Sequence, residues 1–292
     1  IFDKFRSTPS PRKRALSSVR HFRSFQAAQS NRLTADWTKT NQSAGAELRY
    51  ALRALRARSR QLAQNNDYAR KFLKMVGSNV VGSNGIKLQV RSRDDNGALD
   101  QFANTIIEDH WTKWGRVGSC TMCGKMSWRE AQRVMIESVG RDGEAMVRKI
   151  TGPAGENDYG FALQFLDADY LDENYNLELK NGNKIEMGVE FNAWKRPVAF
   201  HLLDRHPGSD SYSYGARKYS RVPADQIIHP FMIDRHEQPR GIPWMISAML
   251  RLQMLGGYEE AELIAARIGA SKMGFFTSDD ADGYDGEGED AE

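Results

Sequence analysis

The sequence holds 292 residues, 40% of them hydrophobic and 27% charged, enough for one large domain or two modest ones. No run approaches the ~18 apolar residues of a membrane span, and the basic first thirty residues lack the apolar stretch of a secretory signal. Cys120 and Cys123 are the only cysteines, too few for a disulfide-stapled secreted domain, so a reducing compartment is the simpler setting.

The net charge of +3 conceals an asymmetry: residues 1–74 carry 17 Lys/Arg against 4 Asp/Glu, and residues 279–292 carry 8 acids and no base. Such ends are interaction or solvation features, not fold features. The first residue is Ile1 and not Met, so the chain is expected to start inside a longer reading frame or to have been trimmed.

Residues 1–43 read as a flexible basic arm, because Ser7-Thr-Pro-Ser-Pro-Arg-Lys-Arg14 is polar and broken by prolines. Phe22, Phe25 and Trp37 are its candidate anchors. Residues 44–76 read as one long helix, with Leu48, Leu52, Leu55, Leu62, Ala69, Phe72 and Val76 at helical spacing. Its length would be roughly 50 Å at ~1.5 Å per residue. Asn79 and Gly82 supply the stop, and Ile86 to Val90 alternates like a strand. A helix over 99–115 places Phe102, Ile106, Ile107 and Trp114 on one side. A second begins at Ser127, where Glu130 completes a capping box, and runs to about Val139.

Residues 143–233 read as β-rich. Candidate strands are Ala145–Ile150, Phe161–Leu166, Leu177–Leu179, Ile185–Phe191, Val198–Leu203 and Ile227–Phe231, with Asn181-Gly182 as a hairpin turn. A second long helix is expected from Trp244 to about Ala270, entered through Pro243 and bent at Gly256-Gly257. Trp244 is its candidate packing anchor. The change of period predicts an α+β fold, two long helices bracketing a β-rich middle. The core is then 44–278, followed by an acidic tail over 279–292.

The chemistry-bearing patterns are incomplete. Cys120-Thr-Met-Cys123 has zinc-ligand spacing but no second pair, so two loop thiols are the simpler reading. Gly118 to Met126 misses a phosphate loop in glycine spacing and in Met126, which stands where Ser or Thr would hold magnesium. Asp167, Asp169, Asp172 and Glu173 cluster as in a two-metal site, or serve as partners for arginines of a neighbour. Arg49, Arg53, Arg56 and Arg60, flanked by Arg58, form one stripe on the first helix with only Glu47 near in sequence to pair it. Such a stripe suits an external anion, either a phosphate backbone or an acidic protein surface.

Five blocks stand out together: Leu52 to Asn66 with its Arg-x-Arg and Asn-Asn, followed by Asn79-Val-Val-Gly-Ser-Asn-Gly-Ile86; Asp142-Gly-Glu144; Leu166-Asp-Ala-Asp169; Val222 to His229; and Gln238-Pro-Arg-Gly-Ile-Pro-Trp244. In order and spacing, over about residues 27–277, they resemble the lambda-like family of tailed-phage portal proteins. Members of that family run considerably longer, so the chain is expected to be an N-terminal part or fragment with a truncation point in the acidic tail.

The resemblance implies a wing-like α/β region over 86–235 and a ring of about twelve subunits at one capsid vertex of the virion, assembled in the host bacterial cytoplasm. It implies a channel for double-stranded DNA, with terminase large subunit, capsid, scaffold and neck or tail proteins as partners. It implies no enzyme activity and no catalytic residue, and the incomplete motifs and lack of a long apolar run lead to the same expectation for cofactor, metal and membrane: none. In a ring, the arginine stripe and the acids at 167–173 are candidate contacts between neighbours. Two rivals rest on single features: a basic DNA-binding protein unrelated to portals, on the charged N-terminal quarter, and a metal-dependent nuclease, on the acidic cluster.

Overall fold

The computed structural model describes residues 32, 35–39, 41–209 and 217–271. The chain divides into two units, Ile1–Asn41 and Gln42–Glu292, and every described helix and strand belongs to the second. Phe22, Phe25 and the acidic tail lie outside the described residues. Trp37 is exposed.

The fold is α+β. The expected helix over 44–76 is two helices, α1 (Ala44–Asn65) and α2 (Asp67–Val81). Asn66 breaks them apart: its backbone is extended, and its side chain accepts from the Ala69 N–H as the cap of α2. Asn gives an orphaned helix donor a partner at little cost, and the apolar stripe resumes on the far side at Ala69. Then α2 ends at Gly82. The expected strand at Ile86–Val90 does not form. Its backbone is bonded by helix side chains instead: Gln132 brackets Ile86 and Glu108 accepts from the Val90 N–H.

Helix α3 (Gln101–Trp114) buries Asn104 and Trp114 and turns Phe102, Ile106 and Ile107 outward, which corrects the face expected for it. Asn104 is held inward by two bonds to the Ser92 backbone. Helix α4 (Trp128–Asp142) carries the complete Ser127/Glu130 capping box and ends at Gly143, φ 91°.

Two antiparallel sheets come next in the chain. The first has order β2-β1-β8, from β1 (Met146–Thr151), β2 (Phe161–Leu166) and β8 (Ile227–Ile228). The second is a meander of β3 (Leu177–Glu178), β4 (Lys184–Glu186), β5 (Val189–Phe191), β6 (Pro197–Leu203) and β7 (Tyr219–Pro223). The run read as one strand to Phe191 is a hairpin, because Met187 and Gly188 both take positive φ, the signature of the tightest β-turn. The sheets share a core of Met146, Leu171, Val189, Phe191, Phe200, Leu202, Val222 and Ile227.

The last helix, α5, spans Met249–Ala270 and begins five residues later than expected, after turns at 244–248. It runs unbroken through Gly256-Gly257. Its first turn packs Met249 with Met245, Leu62, Ala69 and Leu73. No described helix is long and apolar enough to cross a membrane.

Candidate functional site

Residues from each of the five sequence blocks meet at one buried junction between α1, the end of α4 and the two sheets, while residues 79–86 lie apart, with Ile86 bonded to Gln132. Its geometry begins with two glycines. A Cβ on Gly143 would lie 2.4 Å from the Ile242 carbonyl carbon, and one on Gly241 would lie 2.0 Å from the Gly143 oxygen. Only bare backbone lets the two segments cross so closely. The crossing sets Glu144 directly against Arg240.

Glu144 is fully buried and accepts from four groups: Arg240, Arg56 at 2.7 Å, His229 at 2.9 Å and the Gly241 N–H at 3.1 Å. Arg240 is also fully buried. Besides Glu144 it donates to the carbonyls of Met187 at 2.8 Å, Ala168 at 3.0 Å and Leu171 at 3.2 Å, so all five guanidinium donors are used. Burial alone would raise the Glu144 pKa. The charge of Arg240, the hydrogen bond from His229 and the charge of Arg56 reverse this and hold it well below the ordinary carboxylate range.

Arg56 bridges this centre outward. It is 2% exposed on the inner face of α1, with Nη1 2.8 Å from Asp169. One turn on, Arg60 binds Asp142 at 2.7 Å, Asp167 at 2.7 Å and also Asp169. Desolvation opposes the charge on Arg60, but its bond to Asp142 and the other acids raise its pKa on balance. Asp142 also pairs with Arg141. Four carboxylates thus face four guanidiniums, each charge answered at hydrogen-bond distance.

This arrangement corrects the reading of the stripe as unpaired and gives Asp167, Asp169 and Asp172 arginine partners in their own chain. Arg56 and Arg60 are satisfied within their own chain, by acids 82 to 113 residues away. Asp172 is taken by Arg217 and Tyr219. Glu173 lies 3.9 Å from Arg53, whose side chain is 79% exposed. Arg49 and Arg58 point to solvent.

Asp167, Asp169 and His206 offer three ligand atoms within 4.8 Å of one another. The arginines already occupy both carboxylates, and a divalent cation would have to displace Arg60 against the charge of Arg56. The set does not fit the two-metal reading. Cys120 is a core residue packed with Trp114, Val147 and Leu163, and burial pushes its thiol pKa up. Cys123 is exposed and free. Trp244 sits half-buried, its backbone N–H bonded to the Gly140 carbonyl at 3.0 Å. It lies ahead of the helix and not at its first turn.

Sequence reasoning passed over Glu144, Asp142, His229 and Arg240 as members of a site. The signal available was positional: two acids flanking Gly143 and an arginine beside Gly241, inside blocks already singled out.

The sequence model for phage portal proteins of the lambda family matches residues 30–292. A probable portal protein of Halomonas phage phiHAP-1 is 34% identical over 259 residues, which cover 88% of this chain and 50% of that protein. The chain thus spans about half the length of that relative. With residues from each of the family's motif blocks gathered at one junction and the match running over most of the sequence, the chain belongs to the lambda family of phage portal proteins.

Proposed function

We propose that the chain supplies the core of a portal subunit, which assembles with copies of itself into a ring around a channel for double-stranded DNA. Beyond family membership, one observation carries this reading. Helix α5 leaves Leu250, Met254, Leu263, Ile264 and Ile268 exposed, with no described residue of its own chain covering them. A 22-residue helix with that much bare apolar surface calls for protein neighbours. A purely DNA-binding role would leave this surface unexplained.

In this reading the protein works without covalent chemistry. Terminase, capsid, scaffold and neck or tail proteins dock on the ring at the capsid vertex of the virion, after assembly in the host cytoplasm. A channel wall must not grip a duplex carrying one charge per ~1.7 Å, and the arginines tied up at the junction are consistent with that demand. Arg49, Arg53 and Arg58, exposed on α1, are the residues of the stripe left for contact with an acidic neighbour.

The test is sedimentation velocity of the protein over a hundredfold concentration range. A discrete oligomer of fixed size supports the reading, and a monomer at every concentration refutes it. The variant Arg49→Gln/Arg53→Gln/Arg58→Gln should stay folded and assemble less at low salt, since exposed pairs contribute only ~0.2–1 kcal/mol each. Unchanged assembly would remove these arginines from the interface.

A further inference from the structure

Helix α5 carries two apolar faces, not one. At ~100° per residue, Leu250, Met254, Gly257, Ala261, Ile264 and Ile268 fall on one side, at spacings of 4, 3, 4, 3 and 4. Leu252, Leu255, Leu263, Ala266 and Ala270 fall on the opposite side. Arg251 and Glu262 line one flank between them, and Gln253, Glu260 and Arg267 line the other. The 4-3 rhythm is that of a helix packed lengthwise against another at a shallow angle. The first face extends for roughly 27 Å at ~1.5 Å per residue. Gly257 and Ala261 at its middle present no bulk against a close neighbour.

Among the described residues, the chain's own body engages only the start of the second face. Leu252 packs on the Met245/Met249 cluster, and Glu259, the one acid on this side, accepts from the Tyr68 hydroxyl at 2.7 Å. Beyond that point Leu263 is 60% exposed, and across the helix Met254 is 67% and Ile268 59% exposed.

One partner helix cannot cover two opposite faces. Two neighbours can, and identical chains around a closed ring give every helix one neighbour on each side. Resting on the proposed ring, we infer that α5 is a two-sided assembly helix, its Leu250/Met254/Ile264/Ile268 face seated on the Leu263/Ala266 face of the next copy. The contact is head-to-tail. Each copy contributes a different face, so the contact repeats until the ring closes.

Blocking one face at a time tests this. Met254→Glu/Ile264→Glu disables the first face and Leu263→Glu/Ala266→Glu the second. All four positions are exposed, and unchanged far-ultraviolet circular dichroism checks the fold, with the corresponding Ser variants as a milder pair. Each variant alone should lose rings in sedimentation. Mixed in equal amounts and captured briefly with glutaraldehyde, the two should give a dimer that neither gives alone, since the intact face of each meets the intact face of the other. If rings persist in both variants, the two-face assignment fails while the ring reading survives. Should the second-face variant dimerise alone, with mixing adding nothing, the first face pairs with itself and the inference is overturned. A wild-type chain that never associates overturns both readings.

Discussion

Removing the Glu144 carboxylate strands more buried charge than any other single change at the junction. In Glu144→Ala, Arg240 and Arg56 stay buried, at 0% and 3% side-chain exposure, without their shared counter-charge. The Gly241 N–H and His229 lose their acceptor as well. Breaking a buried ion pair from one side costs about 3–5 kcal/mol. At ~2–4 °C per kcal/mol for a folded region of this size, Tm should fall by roughly 6–20 °C. Thermal melts followed by circular dichroism at neutral pH measure this directly. Added salt should change the difference little, because ions do not reach a buried pair. The variant Arg56→Met/Glu144→Leu/Arg240→Met should not recover the loss, because it also strips the buried carbonyls of Met187, Ala168 and Leu171 and the Gly241 N–H of their partners. A Tm shift under about 2 °C for Glu144→Ala would refute the idea that Glu144 neutralises both arginines.

Acid should loosen these contacts together with the Asp172–Arg217 and Glu190–Arg221 pairs. The carboxyls of Glu144, Asp169 and Asp172 are held below their ordinary range, and that of Glu190, bonded first by Arg221, is held at about 2. Depressed folded-state pKa values mean stability that is fully present above ~4.5 and lost as pH falls through the folded values. Tm should therefore decline steadily from about pH 4.5 toward 2, and a flat profile down to pH 3 contradicts this. Gly143→Ala puts a Cβ 2.4 Å from backbone at φ 91° and should abolish soluble folded protein. Gly97→Ala, at positive φ but in open space, should cost only about 1–2 kcal/mol. Equal expression and Tm for the two would deny the backbone crossing.

The parts of the fold legible in the sequence are those fixed locally. The Ser127/Glu130 box marks α4 because both partners lie within one turn, and β2 stands where the apolar run put it. The break at Asn66 is hidden because Leu62 and Ala69 keep the helical stripe across it. The alternation at Ile86–Val90 gives a strand's period, yet the bonding partners there are Gln132 and Glu108, side chains of helices distant in sequence. Strand β7 escaped notice because Tyr-Ser-Arg-Val-Pro is short and mostly outward-facing. The arginine stripe was visible as a pattern, but its meaning was not. Pairing rules within a helix look three or four residues away, while the acids that hold Arg56 and Arg60 arrive from the far end of α4 and from the loop after β2. The resemblance blocks located the junction without revealing that Glu144 and Arg240 form its centre.

Whether this lambda-family portal chain works as one subunit of a ring is decided by negative-stain electron microscopy of the purified protein. Class averages should show closed rings with a central opening, repeated at one subunit number. Single particles of monomer size, or chains strung along added DNA without rings, would contradict the ring.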